Sequence, residues 1–267
     1  MKIAGSTILV TGASSGIGAE LAPQLAERGA TVGIVARRAD RLDEVLARCH
    51  EHAPESRAWP ADLGDLERAE QVALEAWDAF GHLDCIVNNA AIGKRKHTLT
   101  LTVDDLQTTM AVNFLSPIRM AMALFPRMKA RGSGLVVNVS SMGGRLGIVH
   151  EAAYCAAKFA MCGWSESARV DLDGSGIDIK LVLPGPIATE IWEQQPGELP
   201  GLYDGPFVTA ADCAADIVRA IESDGFEFYA PAAVPGGFGD QKEIVVGKTQ
   251  NVDAFVELLV AMKPAEG

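Results

Sequence analysis

Seven short apolar runs recur along the chain and alternate with amphipathic segments of helix length. Runs that are apolar throughout, rather than at every second residue, are typical of strands buried on both faces. Such strands form a parallel sheet whose crossover helices cover its two faces. The sequence therefore predicts an α/β fold with a doubly wound parallel sheet of about seven strands. The predicted strands lie near residues 6–10, 31–36, 56–61, 83–88, 134–140, 178–183 and 226–230.

No internal repeat, low-complexity tract or linker interrupts this alternation. With 267 residues and 48% apolar content, the chain can bury a substantial core as a single domain spanning residues 1–267. In a doubly wound sheet, the ligand crevice lies outside the carboxyl ends of the strands. We therefore expect one functional site at that edge.

A glycine-rich turn, Thr11-Gly-Ala-Ser-Ser-Gly-Ile-Gly18, follows the first predicted strand and precedes a helical pattern. Glycines permit positive φ angles and close approach of the backbone to a ligand. The N-terminus of the following helix offers free amides and a partial positive charge to a pyrophosphate. This order of elements predicts a dinucleotide site of the Rossmann type.

Tyr154 and Lys158 stand one helical turn apart, so their side chains share a face of a predicted helix. A cation beside a phenol favours the phenolate and moves its pKa from near 10 toward neutrality. Ser141 follows the apolar run 135–139 and is expected at the carboxyl end of a strand. The three groups are predicted to converge on one substrate oxygen as a proton donor and acceptor.

Together these motifs resemble the short-chain dehydrogenase/reductase family, in its NADP-preferring subgroup, over essentially the whole chain. The resemblance implies an oxidoreductase that moves hydride between a nicotinamide dinucleotide and a carbonyl or alcohol. The motifs that carry it are the run 11–18, Asp62, Asn88-Asn-Ala-Ala91, Asn113, Asn138-Val-Ser-Ser141, Tyr154-x-x-x-Lys158 and Pro184-Gly-Pro-Ile-Ala-Thr189.

The resemblance also implies a catalytic tetrad. Asn113 shapes its helix so that a water links it to the lysine and relays protons outward. Ser141 polarises the carbonyl, and Tyr154 is the general acid or base. Lys158 holds the ribose and lowers the pKa of the tyrosine.

The end of the second predicted strand indicates the choice of dinucleotide. A site selective for NAD normally has a carboxylate there, which binds the ribose 2′-hydroxyl. This chain has Ala36 followed by Arg37 and Arg38. We expect the Arg37 guanidinium to bind a 2′-phosphate through two donors, with Arg38 as the second candidate and Ser14 or Ser15 as hydroxyl donors. NADP(H) is therefore favoured over NAD. The alternative is that both arginines simply begin a solvated helix.

Further residues that match the family pattern are assigned to the dinucleotide. Asp62 resembles the acid that contacts adenine, although it could equally cap the following helix. The full predicted set is Gly12, Ser14, Ser15, Gly16, Ile17, Gly18, Arg37, Arg38, Asp62, Leu63, Asn89, Ala90, Tyr154, Lys158, Pro184, Gly185, Ile187 and Thr189.

The chain departs from the family pattern in two places. Ala91 stands where the family usually has glycine, a change we expect to be tolerated. The family's common glycine-rich C-terminal tail is missing, and residues 232–267 form an atypical segment that we interpret as polar and glycine-rich. We expect a homo-oligomer, a dimer or tetramer, although the missing tail argues against the usual tetramer.

Residues 190–208 contain three prolines and three glycines together with Ile191, Trp192, Tyr203 and Phe207. This segment resembles a mobile substrate lid, whose apolar residues suggest a hydrophobic substrate. A surface loop that tucks apolar groups onto the domain is an equal alternative. The basic run 94–97 lies near the rim of the site, and we interpret it as a solvated loop rather than an anion clamp.

Composition excludes other classes of function. A net charge of −12 argues against a nucleic-acid partner. No apolar run approaches the length of a membrane span and no signal peptide is recognisable, so we expect a cytoplasmic protein without a membrane partner. The five cysteines are scattered and the five histidines do not cluster, which predicts reduced thiols and no metal site.

The leading hypothesis is a hydride transfer between NADP(H) and a small hydrophobic carbonyl or alcohol. A protein that binds the dinucleotide and senses it without turnover is a second hypothesis, disfavoured by the intact tetrad. Reduction or elimination at an activated C=C bond on the same scaffold is the alternative among enzymes.

Overall fold

The computed structural model describes residues 1–234 and 239–261. A seven-stranded parallel sheet forms its centre, with the strand order β3-β2-β1-β4-β5-β6-β7. The predicted doubly wound fold is confirmed, and every predicted strand lies within two residues of an observed one. The strands are β1 (Thr7–Thr11), β2 (Thr31–Ala36), β3 (Arg57–Pro60), β4 (Cys85–Asn88), β5 (Gly134–Val139), β6 (Ile177–Pro184) and β7 (Glu227–Ala230).

Six of the first seven helices cover the two faces of the sheet, and α4 packs against α6. One apolar core joins the sheet to α1, α2 and α7, and the opposite core joins it to α3, α5 and α6. The helices are α1 (Gly16–Glu27), α2 (Ala39–His50), α3 (Leu66–Phe80), α4 (Val103–Met110), α5 (Ser116–Arg131), α6 (Ala152–Asp171) and α7 (Ala210–Glu222).

The order of the strands reverses between β1 and β4, because β1 pairs with β2 on one side and with β4 on the other. Crossovers from these two strands leave toward opposite edges, which opens a crevice at their carboxyl ends. A chain of buried amides fixes the neighbouring elements: Asn88 donates to Asn138 at 2.9 Å, and Asn138 donates to Ser165 of α6 at 2.9 Å. This chain sets the position of α6 relative to β4 and β5.

Helix α4 begins at a capping box. The Thr102 hydroxyl accepts from the Asp105 amide at 3.1 Å, and the Asp105 carboxylate accepts from the Thr102 amide at 3.1 Å. Between α4 and α5 the backbone widens into a π-helical turn, Ala111–Leu115. Such turns are uncommon in proteins, and those that occur often lie at functional sites.

No helix was predicted in the C-terminal segment 232–267, but its described part contains two. Two further helices lie there, α8 (Gln241–Gln250) and α9 (Val252–Ala261), after a short antiparallel pair, β8 (Ala233–Val234) and β9 (Gly239–Asp240). Asp240 caps α8 by accepting from the Lys242 amide at 2.8 Å. Residues 235–238 and 262–267 of the segment lie outside the described residues.

Candidate active site

The motif residues meet at the carboxyl edge of the sheet, as predicted. Thr11 ends β1, Asn88 ends β4 and Pro184 ends β6, while Ser141 lies two residues beyond β5. In a parallel sheet these ends face the same side, so residues that are far apart in sequence surround one crevice.

The turn after β1 requires its glycines. Gly12 has φ +69°, and a Cβ there would lie 2.7 Å from the Ala90 Cα. A Cβ on Gly18 would lie 2.4 Å from the Gly12 carbonyl oxygen. Asn89 braces the same turn, because its side-chain amide donates to the Thr11 carbonyl at 3.0 Å. Asn89 and Ala90 thus lie against the predicted dinucleotide turn.

The N-terminus of α1 has free donors. Ser15 occupies the N-cap with an extended backbone and makes no side-chain capping hydrogen bond, and the first turn of the helix carries no acidic residue. The amides of this turn and the helix dipole favour an anion. Gly16 has φ +54°, and the Thr189 side chain packs so close that a Cβ on Gly16 would lie 2.9 Å from it. The turn fits a dinucleotide pyrophosphate.

Tyr154 and Lys158 lie in the first two turns of α6 and face the crevice floor. Tyr154 is 9% exposed, and the Ser141 side chain beside its phenol acts to lower the phenol pKa. The Ser141 hydroxyl also accepts from the Gly143 amide at 3.0 Å, which holds it in place. The Lys158 Nζ lies 5.7 Å from the centroid of the Tyr154 ring. Serine, tyrosine and lysine are therefore brought together.

The pKa of Tyr154 shifts in the direction opposite to the predicted one. Burial raises the pKa of the phenol well above its usual range, because a phenolate would lose its hydration. The hydrogen bond from Ser141 and the charge of Arg95 act against that rise. The predicted lowering is wrong for the net pKa, and the buried phenol keeps its proton at neutral pH.

Lys158 is 1% exposed, and its Nζ donates to the Val139 carbonyl at 2.9 Å. Burial lowers the pKa of the ammonium to about 8. An ammonium has three donors, so this backbone bond leaves others for a ligand above the floor. Lys158 is thus held by the end of β5 rather than by the tyrosine.

Asn113 lies in the π-helical turn and is buried. Its Oδ1 accepts from the Ile92 amide at 2.8 Å, and its Nδ2 donates to the Ile92 carbonyl at 2.9 Å. The side chain therefore ties the helix α4–α5 to the loop that follows β4. The proton relay through Asn113 stays a prediction.

At the end of β2, the structure brings Arg38 into the crevice and leaves Arg37 exposed. The Arg38 guanidinium donates to the Ser15 hydroxyl at 2.8 Å and to the Ser14 hydroxyl at 3.2 Å. It also forms an ion pair with Glu190 at 2.8 Å. Arg38, assigned as a backup from the sequence, therefore lies beside the predicted serine donors.

Asp62 and Leu63 follow β3. The Asp62 carboxylate accepts from the Gly64 amide at 2.9 Å, and the side chain is exposed at the crevice end of the strand. The alternative that Asp62 caps the next helix is wrong, because Asp65 holds that position and accepts from the Glu67 and Arg68 amides at 3.0 Å each. Leu63 is buried, and contact of Asp62 with adenine stays a prediction.

The segment after β6 folds over the crevice. Gly185 packs against Gln241 of α8, and Ile187 is buried. The two ends of the segment pair with each other: the Ala188 amide donates to the Val208 carbonyl at 2.8 Å, and the Val208 amide donates to the Pro186 carbonyl at 3.0 Å. Residues 188–207 thus form a loop with closed ends.

Three aromatic side chains of this loop pack on one another. The ring centroids of Trp192, Tyr203 and Phe207 lie 5.1–6.1 Å apart. The indole of Trp192 also donates to the Ile187 carbonyl at 2.8 Å. The loop therefore has an apolar cluster of its own.

The interpretation of residues 94–97 as a solvated loop is wrong. Arg95 is 3% exposed, lies over the Trp192 ring at 5.6 Å and approaches Glu151 at 3.4 Å. Its guanidinium donates to the Ile191 carbonyl. Lys94 pairs with Glu198 of the loop at 3.3 Å. Lys94 and Arg95 therefore connect the loop 188–207 to the start of α6, the helix that carries Tyr154.

Four residues of this site were missed from the sequence: Arg41, Arg95 in its buried role, Glu151 and Glu190. Each acts through a partner on another element, and only the tertiary fold brings them together.

Within residues 1–234 and 239–261, no cluster of metal-ligating side chains occurs, and no helix is both long and apolar enough to cross a bilayer.

Comparison with known proteins gives consistent matches. The family model of the short chain dehydrogenases matches residues 6–199. An uncharacterized oxidoreductase of Bacillus subtilis, YxnA, is 36% identical over 191 residues, which cover 70% of this chain and 54% of that protein. The chain thus spans about half the length of this relative.

Two solved structures match over nearly the whole fold. A short chain dehydrogenase from Burkholderia cenocepacia in complex with NADP has a TM-score of 0.80 at 26% identity, covering 99% of this chain and 100% of that one. A short-chain dehydrogenase from Sphingobium yanoikuyae in complex with NADPH has a TM-score of 0.79 at 25% identity, covering 98% of both chains.

Proposed function

The chain belongs to the short-chain dehydrogenase/reductase family, and on that premise we propose that it is an NADP(H)-dependent oxidoreductase acting on a carbonyl or alcohol. The observation that carries the proposal is the buried Tyr154 phenol beside the Ser141 side chain, with the Lys158 Nζ 5.7 Å from the centroid of its ring. A protein that only senses a dinucleotide has no use for a phenol held in this way.

The residues on the floor have distinct tasks in the reduction of a carbonyl. The dinucleotide supplies the hydride when it is bound. Ser141 donates to the substrate oxygen and orients it toward Tyr154. The phenol transfers its proton to that oxygen as the carbon gains the hydride, which yields the alcohol and a phenolate. The Lys158 ammonium stabilises the phenolate charge in a site with little water.

The raised pKa of Tyr154 keeps the phenol protonated at neutral pH, the form from which reduction begins. A phenol that holds its proton at neutral pH is ready to act as an acid, whereas oxidation of an alcohol must begin from a phenolate. Asn113 acts by positioning the loop after β4 through both of its hydrogen bonds to Ile92.

NADP(H) is the proposed cofactor. Ala36 offers no carboxylate to a ribose 2′-hydroxyl, and Arg38 lies with Ser14 and Ser15 where a 2′-phosphate would be received. The free amides at the start of α1 suit the pyrophosphate. The complexes of the Burkholderia and Sphingobium relatives with NADP and NADPH support the same choice.

The substrate is proposed to be hydrophobic, with residues 190–208 as its lid. Trp192, Tyr203 and Phe207 supply an apolar surface beside the crevice, which is the usual lining of small-molecule sites. The closed ends of the loop let it move as a unit without disturbing β6.

The test is a screen of purified protein with NADPH and with NADH against ketones, aldehydes, quinones and activated alkenes. We expect NADPH oxidation with an apolar ketone or aldehyde, and an alcohol as the product by mass spectrometry. A saturated product that keeps its carbonyl would replace the proposal by C=C reduction. Binding of NADPH without turnover across the panel would favour the sensor.

A further inference from the structure

Glu190 is the first residue of the lid, and its carboxylate bridges two arginines of the neighbouring α2 region. One oxygen pairs with the Arg38 guanidinium at 2.8 Å, and the other pairs with Arg41. The three side chains are 35–42% exposed, so the bridge lies at the rim of the crevice and faces solvent on one side. It joins elements that are about 150 residues apart in sequence.

The bridge lies where the proposed site would recognise the ribose 2′ position of a bound dinucleotide. Arg38 follows the carboxyl end of β2, and its guanidinium also donates to the hydroxyls of Ser14 and Ser15 in the glycine turn. The Arg38 donors that suit a phosphate therefore already hold an anion from the protein itself. A cleft of about 300 Å³ adjoins the bridge, lined among others by Ser15, Gly16 and Arg41.

We propose that Glu190 holds the place of the 2′-phosphate in the free protein and that a 2′-phosphorylated dinucleotide displaces it. The ligand group is a phosphomonoester dianion on the adenosine ribose, which competes for Arg38 and Arg41 with more charge than a carboxylate. This inference rests on the proposed cofactor choice and adds that Glu190 determines its strength.

Displacement of Glu190 releases the beginning of the lid. Glu190 opens the short helical turn Glu190–Trp192, and Trp192 packs on Tyr203 and Phe207. While the carboxylate stays on the arginines, this turn is tied to the glycine turn and α2. A dinucleotide without the 2′-phosphate leaves the tie in place, so the lid responds to the phosphorylated cofactor.

The experiment compares adenosine 2′,5′-bisphosphate with AMP, which differ only in the 2′-phosphate, by isothermal titration calorimetry. Three proteins are titrated: wild type, Glu190→Gln and the control Glu193→Gln, which removes an exposed carboxylate three residues further along the lid. We expect Glu190→Gln to bind the bisphosphate three- to tenfold more tightly than wild type, roughly the effect of one or two exposed ion pairs. AMP affinity should be equal in all three.

Hydrogen exchange over residues 189–193 supplies an independent readout. In wild type, saturation with the bisphosphate should speed exchange there, while AMP should not. Glu190→Gln should exchange at the faster rate without any ligand.

Equal affinity of wild type and Glu190→Gln for the bisphosphate would overturn the inference while leaving the cofactor choice intact, provided that both prefer it to AMP. If neither protein distinguishes the bisphosphate from AMP, the cofactor choice fails and the inference fails with it. If Glu193→Gln raised the affinity for the bisphosphate to the same extent, the gain would come from the removal of any negative charge on the lid. That result would also overturn the inference.

Discussion

The floor and the rim of the crevice are built in different ways. On the floor, Tyr154, Lys158 and Asn113 are buried, and each is bonded to the backbone or to a neighbour that is itself fixed. On the rim, Arg38, Arg41 and Glu190 are more than a third exposed and are joined by ion pairs. Buried hydrogen bonds hold a single geometry, whereas exposed ion pairs exchange partners readily. The floor thus holds one fixed geometry, whereas the contacts of the rim can exchange partners.

The largest effect is expected on the floor, from Tyr154→Phe. The ring keeps its packing, but the proton donor is lost, so kcat should fall by at least ~100-fold while NADPH affinity stays within about threefold. Steady-state kinetics and a fluorescence titration measure the two quantities. Tyr229→Phe is the control, since Tyr229 also has a pKa raised by burial but lies on β7 and donates its phenol to Glu227 at 2.8 Å. Near-normal kcat in the Tyr154 variant would remove the tyrosine from the chemistry.

Comparison of wild type with Lys158→Met tests whether burial of the Lys158 ammonium lowers the free energy of unfolding. Its pKa of about 8 lies below the value near 10.5 of the unfolded chain, so folding is penalised while both states carry the charge. The penalty fades as the pH rises from about 8 toward 10.5. Wild type should therefore gain about 3 kcal/mol of unfolding free energy relative to Lys158→Met across that range.

Urea unfolding of both proteins at about pH 7 and pH 10 measures this gain, and the difference between the two proteins cancels the other titrating groups. A parallel pH dependence of wild type and Lys158→Met would contradict the lowered pKa. The same variant should bind the dinucleotide more weakly, because the lysine donors that remain for the ribose are gone.

On the rim, Arg38 and Arg37 provide a matched pair. Arg38→Ile should weaken NADPH binding about ten- to a hundredfold, the value of one charge-assisted bond to phosphate of about 1.5–3 kcal/mol, and should leave NADH binding nearly unchanged. Arg37→Ile should have a much smaller effect, because that side chain is exposed. Adding Ala36→Asp to Arg38→Ile should reverse the preference. A larger loss of NADPH affinity in Arg37→Ile than in Arg38→Ile would show that Arg37 is the main ligand of the 2′-phosphate.

The smallest effect concerns salt. Raising the salt concentration should reduce the preference for NADPH over NADH by a few-fold, because a phosphate dianion at an exposed site is screened more than the carboxylate that competes with it. The kcat of the saturated enzyme should change little, since its groups are buried. Titrations of both reduced cofactors at low and high salt measure the contrast, and an unchanged preference would place the phosphate contact in a buried site.

The sequence predicted the sheet, the glycine turn and the residues on the floor, because each depends on local pattern or on the ends of parallel strands. It could not predict the partners of Glu190 or Arg95, since those contacts join segments about 55 to 150 residues apart. The direction of the Tyr154 pKa also required the burial of the ring, which spacing alone does not show. Helices α8 and α9 were not predicted, although residues 252–261 are mostly apolar.

The closed ends of the loop 188–207 have a consequence for how such an enzyme could change its specificity. Backbone hydrogen bonds between Ala188, Val208 and Pro186 seal the loop at its base, so its interior can lengthen or change composition while β6 and α7 stay in register. The entropy of closing a loop rises only slowly with its length. The segment can therefore vary as a separate unit, and under the proposed function such variation would change the substrate while the rest of the fold is kept.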